Sequence, residues 1–453
     1  MSNLVLISII VFAITLLLFL VLKLKIHAFI SLLIVSVLVG LLTGMNTKEV
    51  MASLQAGMGN TLGFVAIIVG LGAIFGQILE ASGGAESVAK GLISKFGIKK
   101  APTALAIAGF IIAIPVFLDV GFVILVPVVY SLAKDAQKSV LYYGIPLAAG
   151  LAVTHAFIPP TPGPVAVADL IGANLGYVIL FGLIVGIPTV AIAGPWFGRY
   201  IGNRINAPVP EYLDIKDDSI CESTKTLPSF GLVATIIALP LILIVFAMTV
   251  QTLIQQDVIS ESIMTSIIEF LGHPFTALII VTLYSLYFLG TKRGFTKQQL
   301  MKLSTKALGP AGLIILITGA GGVFKQVLVD SGIGESLAGS MANANFPPLV
   351  LAYLIAVIVR VTQGSATVAM ITAAGFMAPA LSYFEVSEAG KALMVLSIAA
   401  GATALSHVND SGFWLVGKYF GLNEKQTLQS WTVMETIISV VGFLICLLLS
   451  FFV

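Results

Sequence analysis

Two aspartates and two histidines sit where this apolar sequence is interrupted by helix-breaking residues. Asp119 lies in Pro115-Val-Phe-Leu-Asp-Val-Gly121, and Asp410 in His407-Val-Asn-Asp-Ser-Gly412. His155 opens His155-Ala-Phe-Ile-Pro-Pro-Thr-Pro-Gly-Pro164, and His407 opens the second of these runs. A carboxylate deep in an apolar environment must be partnered or protonated, and an imidazole titrates near neutral pH. Asp119, Asp410, His155 and His407 are therefore candidates for proton exchange. The structural alternative is that the aspartates cap free helix N–H groups and the histidines hydrogen-bond between helices.

Small and hydroxyl residues cluster at the same interruptions: Gly121, Thr161, Gly163, Gly364, Ser365, Thr367, Ser411 and Gly412. They let backbone approach a ligand, and a bare helix N-terminus attracts anions. Gln363, Asn409, His155 and His407 add groups able to hold hydroxyls. Arg360 has three readings: facing a substrate carboxylate, snorkelling, or pairing with an acid. This set suits a small polyhydroxylated carboxylate and suits a bulky apolar molecule poorly. No nucleophile–base pair, metal-ligand spacing or nucleotide fingerprint stands out, so neither an enzyme nor a cofactor is expected. Lys325 and Glu435, also in apolar runs, are read as structural, with Glu435 pairing across a helix interface. His27 and His273 stand at span starts and are read as interface residues.

The elements that must carry these residues read as membrane spans. Of 453 residues, 58% are hydrophobic and 10% charged. Mean hydropathy is +1.07. A soluble domain carries about 25% charged residues. Apolar runs of about 20 residues, enough to cross a bilayer, recur along the chain. Asn3–Leu22 has no basic segment before it and no small-residue cleavage site, and reads as a retained span. Cys221, in a polar loop, and Cys446, in the last apolar run, do not form a disulfide pattern.

Basic residues fix the orientation, because they are retained on the cytoplasmic side. Six clusters, at 23–25, 90–100, 134–138, 199–225, 292–306 and 418–425, hold 19 of the 23 lysines and arginines. The alternation predicts an N-terminus outside. Lys100 and Lys134 then lie on the same side, so residues 101–133 must cross an even number of times. Its 33 residues would make one helix about 50 Å long against roughly 30 Å of hydrocarbon. A re-entrant helical hairpin over 101–133 fits, and residues 347–384 repeat the situation from outside. Non-helical backbone at that depth requires cover by protein or a water-filled cavity. Two short spans or a kinked helix are the alternative for each.

The expected architecture is an all-α polytopic membrane protein of ten transmembrane helices and two re-entrant hairpins. The spans lie near 3–22, 26–44, 61–81, 139–168, 175–198, 228–253, 273–291, 308–330, 390–417 and 430–453. An internal repeat organises them. Residues 70–87 and 319–336 share nine of eighteen positions, including Phe75/Phe324, Gln77/Gln326, Leu79/Leu328 and Gly83/Gly332. In the expected topology the two copies run in opposite directions. The chain divides into inverted repeat 1 (1–198, broken helix near 155–164), a cytoplasmic linker (199–227) and inverted repeat 2 (228–453, broken helix near 407–412). Inverted repeats with broken helices at matching places point to a secondary transporter with its site near the midplane.

Three motifs carry a family resemblance: Phe117-Leu-Asp-Val-Gly-Phe122, Thr154-His-Ala-Phe-Ile-Pro-Pro-Thr-Pro-Gly-Pro164 and Leu405-Ser-His-Val-Asn-Asp-Ser-Gly-Phe-Trp414. On these the chain resembles the gluconate permease (GntP) family of gluconate:proton symporters, grouped with the ion-transporter superfamily, over essentially its full length. The resemblance implies a bacterial cytoplasmic (inner) membrane, a homodimer, and an elevator-type cycle in which a mobile domain holds both hairpins. It implies import of gluconate or a related sugar acid with protons. The alternative is a sodium-coupled carboxylate or D-serine/amino-acid carrier. Thr161 stands where family members often carry a second histidine between the prolines. That departure bears on substrate choice, since relatives carry idonate, fructuronate or D-serine.

Overall fold

The computed structural model describes residues 3–210, 227–333, 347–381, 386–408 and 410–453. Among these residues the regular structure is entirely helical. The elements are α1 (Asn3–Leu18), α2 (Ala28–Leu42), α3 (Thr47–Ala81), α4 (Gly84–Phe96), α5 (Ala101–Ile112), α6 (Leu118–Asp135), α7 (Val140–Phe157), α8 (Pro162–Ile171), α9 (Leu175–Ala191) and α10 (Phe197–Arg204). After residue 227 come α11 (Phe230–Gln255), α12 (Ile263–Gly272), α13 (Pro274–Ser285), α14 (Lys297–Asp330), α15 (Pro348–Gln363), α16 (Ala366–Leu381), α17 (Glu388–Gly401), α18 (Ser411–Tyr419), α19 (Glu424–Thr427) and α20 (Val433–Leu449).

Among the described residues, seven helical stretches are long and apolar enough to cross a membrane: Thr47–Ala81, Val140–Ile171, Leu175–Arg204, Phe230–Gln255, Pro274–Arg293, Lys297–Asp330 and Glu424–Leu449. Shorter apolar helices include α2, α12, α15 and α16. Val140–Ile171 is 89% buried over its apolar stretch, against 39% to 56% for the other six. It is the interior helix. The others turn apolar side chains outward, such as Ile242, Phe246, Leu283 and Leu444, as lipid-facing helices must.

Polar caps extend two helices beyond their apolar runs. The spans expected to begin at 61 and 308 begin at Thr47 and Lys297. Asn46 and Glu49 form a reciprocal capping box at 3.0 and 2.9 Å. Thr296 and Gln299 form another at 3.2 and 2.8 Å. Each box satisfies N–H groups that no preceding turn supplies, so the helix starts in polar sequence that hydropathy alone does not read. Helices α4 and α12 lie in segments expected to be loops. His27 and His273 are the N-caps of α2 and α13, each Nδ1 accepting a backbone N–H two residues on at 3.3 Å.

α3 and α14 cross on glycine. A Cβ on Gly57 would lie 2.6 Å from the Gly322 carbonyl oxygen. One on Gly322 would lie 2.7 Å from that of Gly57. α5 and α7 meet in the same way, with a Cβ on Gly150 only 2.1 Å from the Ala106 oxygen. Such contacts replace the hydrophobic drive that is absent between helices in lipid.

Candidate functional site

Four helix interruptions surround the centre, each with a local cause. α5 ends at Ile112, and the next turn carries Pro115, whose carbonyl oxygen lies where a Cβ on Gly76 would come within 2.0 Å. α6 then starts at Leu118 from the uncapped N-cap Phe117, with Asp119 in its first turn. Between α7 and α8 stand Pro159 and Pro160, joined by a cis peptide bond. Thr161 donates its hydroxyl to the Ile158 oxygen at 2.6 Å. Proline at the start of α8 has no N–H to leave unsatisfied.

The other two interruptions use glycine and side chains. Gly364, at φ +86°, closes α15 as its C-cap, a conformation that favours glycine. α16 follows after Ser365, whose Oγ accepts from Val368 N at 3.4 Å. α17 ends at Gly401 and α18 begins at Ser411, where the N-cap Asp410 accepts from Gly412 N at 3.2 Å.

Three of these N-termini, those of α6, α16 and α18, open on one cavity of about 600 Å³. Asp119, His155, Arg360, Gln363, Gly364, Ser365, Thr367, Asp410 and Ser411 line it. Phe117, Met370, Thr403, Trp431 and Glu435 complete much of its wall. The volume lies inside the 300–1,000 Å³ range usual for small-ligand sites.

One network organises the polar side. Arg360, 3% exposed, donates Nη2 to Asp410 Oδ2 at 2.6 Å and Nη1 to the Gly364 oxygen. Asp410 Oδ2 also accepts from the Ser406 hydroxyl. Ser406 Oγ in turn accepts from Trp431 Nε1 at 2.7 Å. Thr432 donates its hydroxyl to the Ser406 carbonyl oxygen. The guanidinium thus ties α15 to α18, and Trp431 ties both to the last span. Among the described residues, three buried polar atoms by the cavity have no partner: His155 Nδ1, Arg360 Nε and Gln363 Oε1. The His155 ring packs edge-on against Phe117, with centroids 6.4 Å apart.

Several residues singled out from sequence lie elsewhere. Gly121 is buried in packing, where a Cβ would meet Leu151 at 2.9 Å. Thr161 is 4% exposed and turned to its own backbone, away from the main cavity. Gly163 makes room for Met370, whose Sδ would lie 2.7 Å from an added Cβ. His407 shares a hydrogen with the Val361 carbonyl through Nε2 at 2.9 Å and does not line the cavity. Asn409 lies outside the described residues.

Sequence reading missed Glu435 and Trp431. Glu435 is on the cavity wall, not in a helix pair, because α20 turns its first polar residue inward. An ionisable side chain inside an apolar span was the available signal.

A sequence profile of the GntP family permeases matches residues 5–452. The chain belongs to the GntP family. It is 40% identical over 442 residues to the low-affinity gluconate transporter of Escherichia coli K12, covering 98% of this chain and 97% of that one. It is 41% identical over 437 residues to the gluconate permease of Bacillus subtilis 168, covering 96% and 97%. The Alcanivorax borkumensis YdaH transporter has the same fold, with a TM-score of 0.62 over 90% of each chain at 14% identity. This GntP permease is therefore a multi-pass membrane transporter and not an enzyme.

Proposed function

We propose that this GntP permease imports gluconate or a closely related sugar acid together with protons. The observation that carries the reading is the convergence of three helix N-termini and Arg360 on one cavity. Each N-terminus presents free N–H groups and about half a positive charge, a ready site for a carboxylate. Gln363, Ser365, Thr367 and Ser411 offer partners for hydroxyls around it. The relatives named for gluconate, aligned over nearly the whole chain, narrow the anion to a sugar acid.

Proton coupling follows from the chemistry of the wall. Asp119, Asp410 and His155 are titratable groups on the cavity, and His407 stands just behind it. The substrate set is Asp119, His155, Arg360, Gln363, Gly364, Ser365, Thr367 and Ser411, with Gly163 shaping the wall through Met370. Gly121 and Thr161 act only through packing and the break beside them.

The two halves, 1–198 and 228–453, are inverted repeats joined by the linker 199–227. Support comes from matched features: the glycine-rich α3 and α14 with their capping boxes, the histidine caps of α2 and α13, and the breaks α5/α6 and α15/α16. In this reading the two breaks are tips of hairpins entering from opposite sides. The N-terminus is outside, in a bacterial cytoplasmic membrane, and the protein works as a homodimer by an elevator-type movement.

Reconstitution in proteoliposomes tests the function. Labelled gluconate should accumulate under an inward proton gradient and stay at equilibrium under a sodium gradient alone. Accumulation driven by sodium would overturn the coupling. A competition panel of gluconate, idonate, fructuronate and D-serine sets the substrate, with D-serine expected to compete least.

A further inference from the structure

Glu435 has no part in the reading above, yet it stands on the same wall. It lies in the first turn of α20, is 4% exposed and lines the cavity. Among the described residues its carboxyl group makes no hydrogen bond and no ion pair. The charges that act on it are Arg360 and Asp410. Of the helices packed on α20, α7 brings Tyr142, Tyr143 and His155, and α15 brings Arg360 and Tyr353, whose hydroxyl bonds Ser439 at 3.0 Å. α9 carries only Tyr177, and α17 only Glu388 and Lys391 near its start. Asp119 faces Glu435's cavity from α6.

The other two acids are worse placed to exchange a proton. Asp410 is already engaged by three donors, Arg360, Ser406 and the Gly412 amide. Removing its charge would also strand Arg360. Asp119 is more exposed, so water in the cavity can solvate its charge. Glu435 has neither support. An unpartnered carboxylate so buried costs several kcal/mol, while the neutral acid is tolerated.

Charge balance then links Glu435 to the substrate. Arg360 and Asp410 cancel each other. The helix N-termini and the unpartnered Nε edge of Arg360 favour one further negative charge in the cavity. An ionised Glu435 and a bound carboxylate would compete for it, and like charges in one poorly solvated site exclude each other. We propose that Glu435 carries the co-transported proton, neutral when the sugar-acid anion is bound and ionised when the cavity is empty. The proton comes from water on one side and returns to water on the other, and no substrate bond changes. The cavity carries the same net charge in both forms, so the cycle moves no net charge. This proposal rests on the proton-coupled reading and names its acid.

Three proteins in proteoliposomes test it: wild type, Glu435→Gln and Glu435→Asp, each checked for fold by size exclusion. Wild type should accumulate labelled gluconate under a pH gradient and not under a membrane potential alone. Glu435→Gln should still exchange gluconate by counterflow, even if more slowly, but lose accumulation, and its gluconate affinity should lose its pH dependence. Glu435→Asp should keep accumulation with a shifted pH profile, and it carries the test if the amide variant does not fold. Accumulation by Glu435→Gln equal to wild type overturns the proposal, as does an unshifted profile in Glu435→Asp. Loss of gluconate binding in both variants also overturns it, making Glu435 a substrate contact. Wild-type uptake indifferent to the pH gradient is a distinct failure, that of proton coupling itself.

Discussion

The two broken helices of this permease are held open by different physics. The α7/α8 break is covalent in origin: Pro159, Pro160, Pro162 and Pro164 cannot supply the N–H groups a continuous helix needs. Its one side-chain bond, Thr161 to Ile158, is local, and its surroundings are buried and uncharged. The α17/α18 break has no proline. Ser406 and Asp410, within the break, are held by each other and by Arg360 and Trp431, so three separate parts of the chain meet there. A break built into the backbone needs no charge. A break held by side chains stores charge at the site, and only that kind can respond to a proton or an anion.

The largest expected effect comes from unpairing the ionic break. Asp410→Asn leaves Arg360 buried without its counter-charge, at a cost of about 3–5 kcal/mol. Thermal unfolding in detergent should show the loss, and uptake should vanish. The double variant Arg360→Met/Asp410→Leu should unfold at a higher temperature than Asp410→Asn, although it transports nothing. A double variant that falls further would mean the pair is not the unit holding the break.

Next come two changes of similar size, one in each half. Ser406→Ala removes a donor to Asp410 and the acceptor of Trp431 Nε1, a loss of about 1–3 kcal/mol. Gradient-driven uptake should fall with it. Gly76→Ala drives a methyl group into the Pro115 carbonyl and should cost about 1–3 kcal/mol by overpacking. Its effect should appear in thermal stability more than in the pH profile of uptake, because the atoms an added Cβ would meet, those of Pro115 and Val116, carry no charge. A shifted pH profile in Gly76→Ala would blur the contrast between the halves.

The smallest effect belongs to Thr161→Ala. One local hydrogen bond is lost, worth about 0.5–1.5 kcal/mol, while four prolines still break the helix. Uptake should remain within a few-fold of wild type. A collapse as deep as that of Asp410→Asn would show that the proline-rich break also depends on its side chains.

The interruptions were legible because their causes are local. Proline without an N–H, glycine at positive φ and an aspartate N-cap act within a few residues, so Pro115, Pro159 and Gly364 mark helix ends in any context. The starts of α3 and α14 were missed because capping boxes work in polar sequence, where hydropathy gives no signal. Thr161 and His407 sat in suggestive motifs, but which way a side chain turns depends on neighbours far along the chain. His407 found the carbonyl of Val361, 46 residues away.

By itself the sequence determined that this chain lies in a membrane, where its helices must break, and which acids and imidazoles stand beside the breaks. Those are matters of composition and of backbone chemistry over a few residues. Only the tertiary structure decided that three helix N-termini share one cavity and that Arg360 spends its charge on Asp410. It also decided that Glu435 faces the cavity without a partner among the described residues. Pairing and desolvation depend on distances between residues far apart in the chain, and no local pattern encodes those distances.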